Sequence, residues 1–517
     1  MKIAGFKPGH DGTVALIDGD ELVFSLESEK DSFPRYAELG PRGFHDFLEL
    51  SDTIPDVFAT GGWPKGFHSK DRPQGPGYYG IGEGSYEVRS AKAFGKDCQF
   101  FMSTHERSHV WGSYGLSPFP NGQPVLVLVW EGNIGRYYKV DEKLQVHGYD
   151  TVLVDPGNKY SFLYDLADPT WAGGKGKFRF ESAGKLMALA AYGEQRGPTP
   201  EEQAVIDWVL GQDGIILSVS KNDLSHTPYF NCGLQSQLFT DLALQFSNAI
   251  YERFMTYAKK NLPAGMPLVI GGGCGLNCEW NSRFKASGHF SDVFIPPMVN
   301  DSGSAIGTAL DAKQHFTGNA KVKWSAYCGL DLPPLADPQN WMPYDSDMVA
   351  ADLAKGAVIA FLHGRTEAGP RALGHRSLLA APFTKEMTHR LNVIKGREGF
   401  RPIAPIVLAE DASKHFSLTY PSPHMLHFSK VVDPRLQAIT HVDGSARPQT
   451  VSDTDEPKIT ALLRAFRNAT GAAVLCNTSL NFNGRGFINN APDAVEYATD
   501  RELDGVVYGD YYRRITR

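Results

Sequence analysis

The feature that most constrains the fold of this chain is a strand pattern that occurs twice. Short apolar segments at residues 3–6, 13–17 and 21–26 alternate with turn sequences rich in Gly and Asp. The same order returns at residues 125–130, 136–140 and 144–149. In both copies an acidic residue next to Gly lies between the first two segments, in Asp11-Gly12 and in Glu131-Gly132. Apolar runs bounded by such turns predict two three-stranded meanders.

A repeated meander predicts a duplicated ribonuclease H-like α/β unit, the arrangement of actin-like and sugar-kinase-like ATPases, which bind a ligand between the halves. Two unrelated hairpins remain the alternative. A further strand is predicted at residues 267–270, before a Gly-rich turn, and a helix of small residues at 300–310. The Pro-rich segment 332–338 places a domain boundary at about residues 335–350, so we expect domains at 1–340 and 345–517.

Composition narrows the class of protein. The chain has 517 residues and a net charge of -7, which argues against nucleic acid or an anionic membrane as the main partner. Its six cysteines form no CxxC pair, as is typical of reduced thiols. No apolar run approaches the ~20 residues of a membrane span, and the first residues lack the apolar core of a signal peptide. We therefore expect a cytoplasmic enzyme.

Two clusters of basic residues predict an anion-binding site. After an apolar run at 357–362, the segment 364–377 contains Arg365, Arg371 and Arg376 among glycines. A second cluster, Lys395 to Arg401, follows closely. Guanidinium forks match phosphate or carboxylate oxygens, and Gly lets backbone N–H groups approach a ligand. A solvated basic face is the alternative for either cluster alone.

A metal site is indicated by His105 and His109, which lie one helical turn apart. The segment also matches HExxH, the signature of zinc metalloproteases, and two packed histidines with no ligand are the third alternative. Glu131 and Asp301 both lie in Gly-rich turns and are the candidate carboxylate ligands. Two imidazoles with carboxylates suit a divalent transition metal such as iron better than a closed structural zinc.

Four motifs in the last third of the chain carry a resemblance to a known family. They are Gly364 to Ser377 (GR-x-E-x-GPRALG-x-RS), Lys395 to Pro405 (K-x-RE-x-FRP-x-AP), His441 to Val451 (HVDG-x-x-RPQTV) and Asn477 to Asn481 (NTS-x-N). Together they resemble the YrdC-like C-terminal domain of the ATP-dependent O-carbamoyltransferases of the tobramycin and nodulation-factor type. The N-terminal part is similar too, with GHDG at 9–12, the histidine pair, GGG-x-x-LN at 271–277 and NDSGSAIG at 300–307.

The sequence departs from the family pattern at two places. The family commonly has aspartate as a metal ligand where this chain has Glu131, whose carboxylate is one methylene further from the backbone. After NTS-x-N the common Gly-Glu-Pro is replaced by a segment that contains Arg485. These features, the Lys-Pro-Gly-His-Asp-Gly start and the length resemble most the hydroxymethylcephem carbamoyltransferases.

The resemblance implies a two-step reaction. Carbamoyl phosphate and ATP give carbamoyl-adenylate and pyrophosphate, and an alcohol then attacks the adenylate. Mg²⁺ is expected with ATP. The resemblance assigns the remaining roles residue by residue. His10 is the candidate general base, and Asp11 orients it or the acceptor. The nucleotide and carbamoyl phosphate are assigned to Arg365, Arg371, Lys395, Arg401, Arg447, Asn477, Thr478, Ser479 and Arg485. Gly272, Gly273 and Asn277 are expected to bind the adenylate in the N-terminal domain, and His105, His109, Glu131 and Asp301 to bind the metal.

Alternatives in other classes stay open at this level. A zinc metalloprotease would cleave peptides without ATP, and a threonylcarbamoyl-type tRNA-modifying enzyme would need a basic RNA-binding face. The acceptor is expected to be a hydroxylated small molecule, and its pocket is assigned to the Gly- and aromatic-rich segments 63–79 and 156–178. The sequence does not decide which alcohol is modified, and it leaves a homodimer open.

Overall fold

The computed structural model describes residues 1–64, 74–175, 177, 179–216 and 218–515. Within these ranges the chain forms two compact units. Unit 1 comprises residues 1–116 and 301–517, and unit 2 comprises residues 117–300. The architecture is mixed α/β, with one sheet in unit 2 and two large sheets in unit 1.

The first sheet of unit 1 has six strands in the order β3-β2-β1-β4-β6-β5. They are β1 (Lys2–Lys7), β2 (Thr13–Asp18), β3 (Glu21–Glu27), β4 (Val57–Gly61), β5 (Tyr86–Ala93) and β6 (Lys96–Ser103). The first three form the expected antiparallel meander, and β4 and β6 continue the sheet parallel to β1. Helix α1 (Pro41–Leu50) follows β3, and α2 (His105–Leu116) follows β6.

The sheet of unit 2 repeats this strand pattern. Its strands are β7 (Val125–Trp130), β8 (Gly135–Val140), β9 (Val146–Thr151), β10 (Leu268–Gly271) and β11 (Val293–Phe294), in the order β11-β10-β7-β8-β9. The antiparallel meander β7–β9 is again followed by two strands parallel to its first strand. Its helices are α3 (Pro156–Ala167), α4 (Glu181–Ala190), α5 (Pro200–Leu210), α6 (Gln237–Asn261) and α7 (Cys278–Ala286).

One predicted strand begins later than expected. Residues 144–149 were assigned to the third strand of the second meander, whereas β9 begins at Val146. Leu144 lies in the turn before it with φ of +60°, a left-handed conformation that an extended strand does not contain. The Asp141 carboxylate also accepts the N–H groups of Lys143 and Gln145, which closes the turn.

Helix α8 (Ser304–Thr317) packs against α2 at very short range because both helices carry glycine at the contact. A Cβ atom on Gly307 would lie 1.9 Å from the carbonyl oxygen of Ser108, and one on Gly112 would lie 3.3 Å from the Cα of Gly307. The small residues of the NDSGSAIG segment therefore bring the start of α8 close to the face of α2 that carries the histidines.

The second sheet of unit 1 has eight strands in the order β12-β21-β20-β13-β14-β19-β15-β18. The strands of the last third of the chain are β12 (Met342–Pro343), β13 (Val358–Leu362), β14 (Arg376–Ala380), β15 (Ala404–Leu408), β16 (Ser429–Lys430), β17 (Ser445–Ala446), β18 (Gln449–Val451), β19 (Val474–Ser479), β20 (Gly505–Tyr508) and β21 (Tyr511–Arg514). The helices are α9 (Ser346–Ala354), α10 (Lys385–Ile394), α11 (Ala412–His415), α12 (Pro457–Thr470) and α13 (Ala491–Asp500). Buried apolar residues cover both faces of this sheet.

The eight-stranded sheet begins at Met342, next to the boundary proposed from the Pro-rich segment. The two compact units are divided at other positions than this boundary, because residues 1–116 and 301–517 form one unit. Domains at 1–340 and 345–517 stay a prediction.

Candidate active site

The turn between β1 and β2 presents His10 and Asp11 side by side. The Nδ1 atom of His10 lies 2.9 Å from Oδ2 of Asp11. Gly9 and Asp11 both have positive φ, +77° and +53°, which makes the turn tight. The His10 side chain is 31% exposed, so its imidazole is accessible while the neighbouring carboxylate fixes its orientation. This arrangement suits a general base held by an acidic partner.

The predicted histidine pair lies on the first two turns of α2, where both side chains are buried. Their Nε2 atoms are 3.0 Å apart. The Oδ1 atom of Asp301 lies 3.5 Å from Nε2 of His105 and 3.4 Å from Nε2 of His109. Residues separated by almost two hundred positions thus meet at three ligand-type atoms.

These three side chains fit a divalent transition metal. Bonds of ~2.1 Å at roughly right angles would span the 3.0 Å between the imidazole nitrogens. Burial lowers the pKa of His105 to about 4, so its imidazole is neutral and able to donate a lone pair. The pKa of Asp301 lies well below its usual range. Burial alone would raise this pKa, but the nearby Lys7, with His105 and His10, lowers it by more. The site therefore offers the neutral imidazole nitrogen of His105, the adjacent imidazole of His109 and one ionised carboxylate.

Lys7 belongs to this site, although no motif in the sequence points to it. Its side chain is 1% exposed, and its Nζ atom lies 3.1 Å from Oδ2 of Asp301. The same ammonium donates to the carbonyl oxygen of His10 and lies 4.1 Å from the ring centre of Trp63. The lysine therefore connects the turn that carries His10 with the carboxylate predicted to bind metal.

Glu106, the acid of the HExxH match, does not occupy a position expected for a protease base. Its Oε2 atom accepts the N–H of Gly80 at 2.6 Å, and the residue is buried. The next residue, Arg107, forms a buried ion pair with Asp311 of α8 at 2.6 Å. These contacts fix α2 in place, so the residues between the two histidines act in packing.

The predicted ligands of unit 2 lie in two turns of that unit. Glu131 follows β7, is buried, and accepts the N–H groups of Asn133 and Ile134 at 3.1 and 3.0 Å. Gly272 has φ of +97°, and a Cβ atom there would lie 2.5 Å from the carbonyl oxygen of Trp130. Gly273 has open space around it, and Asn277 caps α7 by accepting the N–H of Trp280. Their roles as metal and adenylate ligands stay predictions.

In the C-terminal region a buried glutamate organises the Gly-Pro-Arg turn. Oε1 of Glu367 accepts the N–H groups of Leu373, His375 and Arg376 at 2.8, 2.8 and 3.0 Å. Arg365 donates from two of its nitrogens to the carbonyl oxygens of Cys328 and Gly329. Arg371 is partly exposed within this turn.

Arg376 was expected to bind an anion with Arg365 and Arg371, and the structure contradicts this expectation. It is fully buried and donates to Asn489 and to the carbonyl oxygens of His363, Gly364 and His375. All of its guanidinium nitrogens are engaged by the protein itself. Arg376 therefore holds the turn together, and it does not face a ligand.

The second basic cluster places the positively charged side chains of Lys395, Arg397 and Arg401 close together. Burial lowers the pKa of Lys395 well below its usual range, and the charges of Arg397 and Arg401 lower it further. Burial, with Arg401 and then Arg447, lowers the pKa of Arg397 to about 9. Within the described part of the chain, Lys395 donates to oxygens without formal charge, those of Ser479 and Asn481. Concentrated positive charge of this kind favours a multiply charged anion. Arg397 was not among the predicted ligands.

Strand β19 carries the neutral candidates. Asn477 and Thr478 are buried and Ser479 is half-buried. Ser479 donates from its hydroxyl to Asn481, the same residue that Lys395 contacts. Arg485 lies in the exposed turn that follows and donates to the carbonyl oxygen of Ser32 at 3.3 Å.

The segments proposed for the acceptor pocket are described only in part, because residues 65–73, 176 and 178 lie outside the described residues. Within the first segment, Tyr78 stacks on His105 with ring centres 4.3 Å apart. Trp63 lies edge-on to His10 at 5.4 Å. Residues 156–167 of the second segment form α3.

Comparisons with known proteins agree with the motifs. The family model described as carbamoyltransferase C-terminus matches residues 350–514, and the carbamoyltransferase N-terminus model matches residues 83–206 and 237–310. A 3'-hydroxymethylcephem-O-carbamoyltransferase of Streptomyces clavuligerus is 46% identical across 100% of this chain and 99% of its own length. One of Amycolatopsis lactamdurans is 45% identical across 99% of both chains. Nodulation protein U of Sinorhizobium fredii is 33% identical across 98% of this chain and 99% of its own length.

The chain belongs to the carbamoyltransferase family, and it is an enzyme of that class. This family membership excludes the metalloprotease and tRNA-modifying alternatives that the sequence analysis left open. A solved structure of Sua5 from P. abyssi with L-threonine covers 32% of this chain and 46% of its own at 12% identity and a TM-score of 0.24, which supports no conclusion. Among the described residues, no helix is both long and apolar enough to span a membrane.

Proposed function

We propose that this enzyme transfers the carbamoyl group of carbamoyl phosphate to the 3'-hydroxymethyl group of a cephem, with ATP as co-substrate. Two relatives at 46% and 45% identity carry that acceptor in their names. The observation that carries the donor side is the cluster of Lys395, Arg397 and Arg401, in which burial and the charge of Arg401 lower the pKa values of both Lys395 and Arg397. Such a cluster suits the phosphates of ATP and carbamoyl phosphate, which compensate its charge.

In the first half-reaction, carbamoyl phosphate, ATP and water give carbamoyl-adenylate, pyrophosphate and inorganic phosphate. The bond between the carbamoyl group and its phosphate is broken, and a carbamate oxygen forms a new bond to the α-phosphorus as pyrophosphate leaves. Lys395, Arg401 and Arg447 offset the phosphate charge, with Arg365 and Arg371 from the Gly-Pro-Arg turn. Asn477, Thr478, Ser479 and Arg485 complete the proposed set. Mg²⁺ accompanies the nucleotide.

In the second half-reaction the acceptor hydroxyl attacks the carbonyl carbon of carbamoyl-adenylate, and AMP leaves. His10 removes the hydroxyl proton at its Nε2 atom, because Nδ1 lies against Asp11 at 2.9 Å. Asp11 thereby orients the imidazole and stabilises it when it carries the proton. This assignment is supported by the 31% exposure of the His10 side chain next to the Asp11 carboxylate, which is 10% exposed.

The metal is proposed to be Fe²⁺ or a similar divalent ion held by His105, His109 and Asp301, with Glu131 as the fourth predicted ligand. When bound, such an ion supplies a Lewis-acidic centre for a phosphate oxygen. Lys7 keeps Asp301 ionised and holds the His10 turn next to it. Gly272, Gly273 and Asn277 are proposed to contact the adenylate within unit 2.

The finer fold assignments belong with this proposal. The shared strand pattern of β1–β3 with β4 and β6, and of β7–β9 with β10 and β11, supports a duplicated ribonuclease H-like, actin-like N-terminal domain. The motifs of the last third support a YrdC-like C-terminal domain. The six cysteines are all unpaired, which supports a cytoplasmic location.

The test is mass spectrometry of the purified enzyme with ATP, carbamoyl phosphate and a 3'-hydroxymethylcephem. We expect the acceptor to gain the mass of one carbamoyl group in place of one hydrogen. The same cephem with a 3'-methyl group is the matched control and should stay unchanged. No product with the cephem, but product with another hydroxylated compound, would reject the acceptor and retain the reaction. No product with any alcohol, and no pyrophosphate release, would reject the reaction.

A further inference from the structure

A second group of metal-ligating side chains lies in unit 1, where strands β13 and β14 meet the Gly-Pro-Arg turn. It consists of His363, His375 and Glu456. One ligand-type atom of each residue lies within 4.8 Å of those of the other two. His375 and Glu456 are buried, and His363 is half-buried. The group shares no residue with the histidine pair on α2.

Strand pairing brings the two histidines together. Leu362 of β13 lies opposite Arg376 of β14, so the next pair along the ladder is His363 and His375. The N–H of His363 donates to the carbonyl oxygen of His375 at 3.1 Å, which continues the ladder. Residues directly opposite each other in an antiparallel pair present their side chains on the same face. The two imidazole rings accordingly have centres 5.1 Å apart.

The contacts of His375 determine which of its ring nitrogens carries a proton. Its Nδ1 atom lies 2.6 Å from the carbonyl oxygen of Arg365, which can only accept, so Nδ1 is protonated. Its Nε2 atom lies 2.6 Å from Oε2 of Glu456. In a neutral imidazole with a protonated Nδ1, Nε2 has a lone pair and no proton. Two electron-rich atoms then face each other in a buried place, and only a proton or a metal ion can hold them so close.

The third side chain favours a metal ion over a proton. A proton bridges two atoms, whereas here the ligand atom of His363 lies within 4.8 Å of both others. Burial lowers the pKa of His363 to about 4, so its imidazole is neutral and offers a lone pair. A tetrahedral ion with bonds of ~2.1 Å spaces its ligand atoms by roughly 3.4 Å. This spacing lies between the 2.6 Å from His375 to Glu456 and the 4.8 Å limit of the group.

We propose that His363, His375 and Glu456 bind Zn²⁺, with water as the fourth ligand. Two imidazoles and one carboxylate with an open fourth position are one of the ligand sets of zinc in proteins. Burial of His375 and Glu456 leaves room for few water molecules, which suits a four-coordinate ion better than an octahedral one. The site is independent of the proposed function, because none of its ligands is assigned to a substrate.

Bound zinc connects three parts of the C-terminal region. Glu456 directly precedes α12, so the ion joins the start of this helix to the ends of β13 and β14. A metal-bound imidazole donates its other N–H to an oxygen that fixes the ring, and the carbonyl oxygen of Arg365 has this position next to His375. Zinc therefore stabilises the turn that carries Arg365, and we expect its binding to raise Tm.

The experiment measures zinc binding to the full-length chain after treatment with chelator and gel filtration. All proteins carry His109→Ala, which disables the other predicted metal site. In this background we expect one Zn²⁺ per chain by elemental analysis and a higher Tm with zinc than without it. Because Zn²⁺ has a filled d shell, Co²⁺ is used in parallel and should give the visible absorption of a four-coordinate ion.

Two further substitutions remove single ligands. Adding His363→Gln or Glu456→Gln should weaken Zn²⁺ binding by more than roughly 100-fold, because loss of an outer-shell partner alone costs about 10–100-fold. Adding His415→Gln is the matched control, since His415 is a buried histidine bonded to Asp433 at 2.9 Å outside the group. This control should keep the zinc affinity of the His109→Ala protein.

The ligand variants decide between a zinc site and a proton-bridged pair. A His109→Ala protein that binds no zinc would overturn the proposal. So would an unchanged zinc affinity after His363→Gln, because a proton shared by His375 and Glu456 does not need that residue. Equal losses with His363→Gln and His415→Gln would also count against the site. If Glu456→Gln does not fold, His363→Gln gives the decision, since His363 is half-buried.

Discussion

The positive charges around Arg397 are expected to destabilise the ligand-free enzyme and to favour the binding of an anion. The depression of the Arg397 pKa from its ordinary value to about 9 corresponds to roughly 5 kcal/mol. The guanidinium keeps its proton at the pH at which the enzyme works. The charged side chain therefore lowers the free energy of unfolding by about this amount. Two hydrogen bonds offset part of the cost, to Oδ1 of Asn392 at 2.7 Å and to the carbonyl oxygen of Pro402 at 3.4 Å. At about 1.5 kcal/mol each, the lower end of the range for charged hydrogen bonds, these two bonds offset about 3 kcal/mol, and a net cost of up to roughly 2 kcal/mol remains.

Arg397→Met removes the charge and keeps most of the side-chain volume. Without ligand, the variant should be more stable than the parent by up to roughly 2 kcal/mol, which raises Tm by about 4 °C or less because unit 1 is larger than a domain of 150–250 residues. Pyrophosphate should stabilise the parent and have much less effect on the variant, whose Kd should be roughly 10- to 100-fold weaker. Both quantities come from thermal unfolding measured across a series of pyrophosphate concentrations.

Arg390→Met is the matched control. Arg390 forms an ion pair with Asp504 at 2.8 Å, outside the cluster. Its replacement should lower stability by up to about 1 kcal/mol and leave pyrophosphate binding unchanged. If Arg397→Met is instead less stable than the parent and still binds pyrophosphate normally, the guanidinium is a structural group and the repulsion argument is refuted.

Three further predictions test other parts of the molecule. His10→Asn should retain pyrophosphate release that depends on carbamoyl phosphate, while carbamoyl transfer falls by roughly 10²–10⁴-fold, and equal loss of both would show that His10 is structural. Protein purified without chelator should contain a transition metal by elemental analysis, and His109→Ala should lose most of it; equal metal content in both proteins would contradict the site. Burial lowers the pKa of His424 to about 4, so the unfolded chain binds a proton that the folded chain does not as pH falls from 6.5 to 4. The parent should therefore lose up to roughly 3 kcal/mol of stability across that range in urea titrations, and His424→Gln should lose correspondingly less, whereas identical pH profiles would rule out this histidine.

The features of this protein that depend on neighbours along the chain can be predicted from the sequence. Residues 125–130 were assigned as a strand with the observed bounds, because an unbroken apolar run next to a Gly-rich turn is a local signal. The one-turn spacing of His105 and His109 and the acidic Gly turns are likewise visible within a few residues of the chain. The family, too, was recognisable from contiguous motifs, and comparison with known proteins confirms it.

The contacts of individual charged side chains, by contrast, become visible only in the folded protein. Arg365, Arg371 and Arg376 are equivalent in the sequence, yet Arg376 is fully buried against carbonyl oxygens and Asn489. Lys7 ends a β-strand and shows no motif of its own, but the fold brings it to 3.1 Å from Asp301. Burial and partners are set by segments hundreds of residues apart, and no local pattern encodes them.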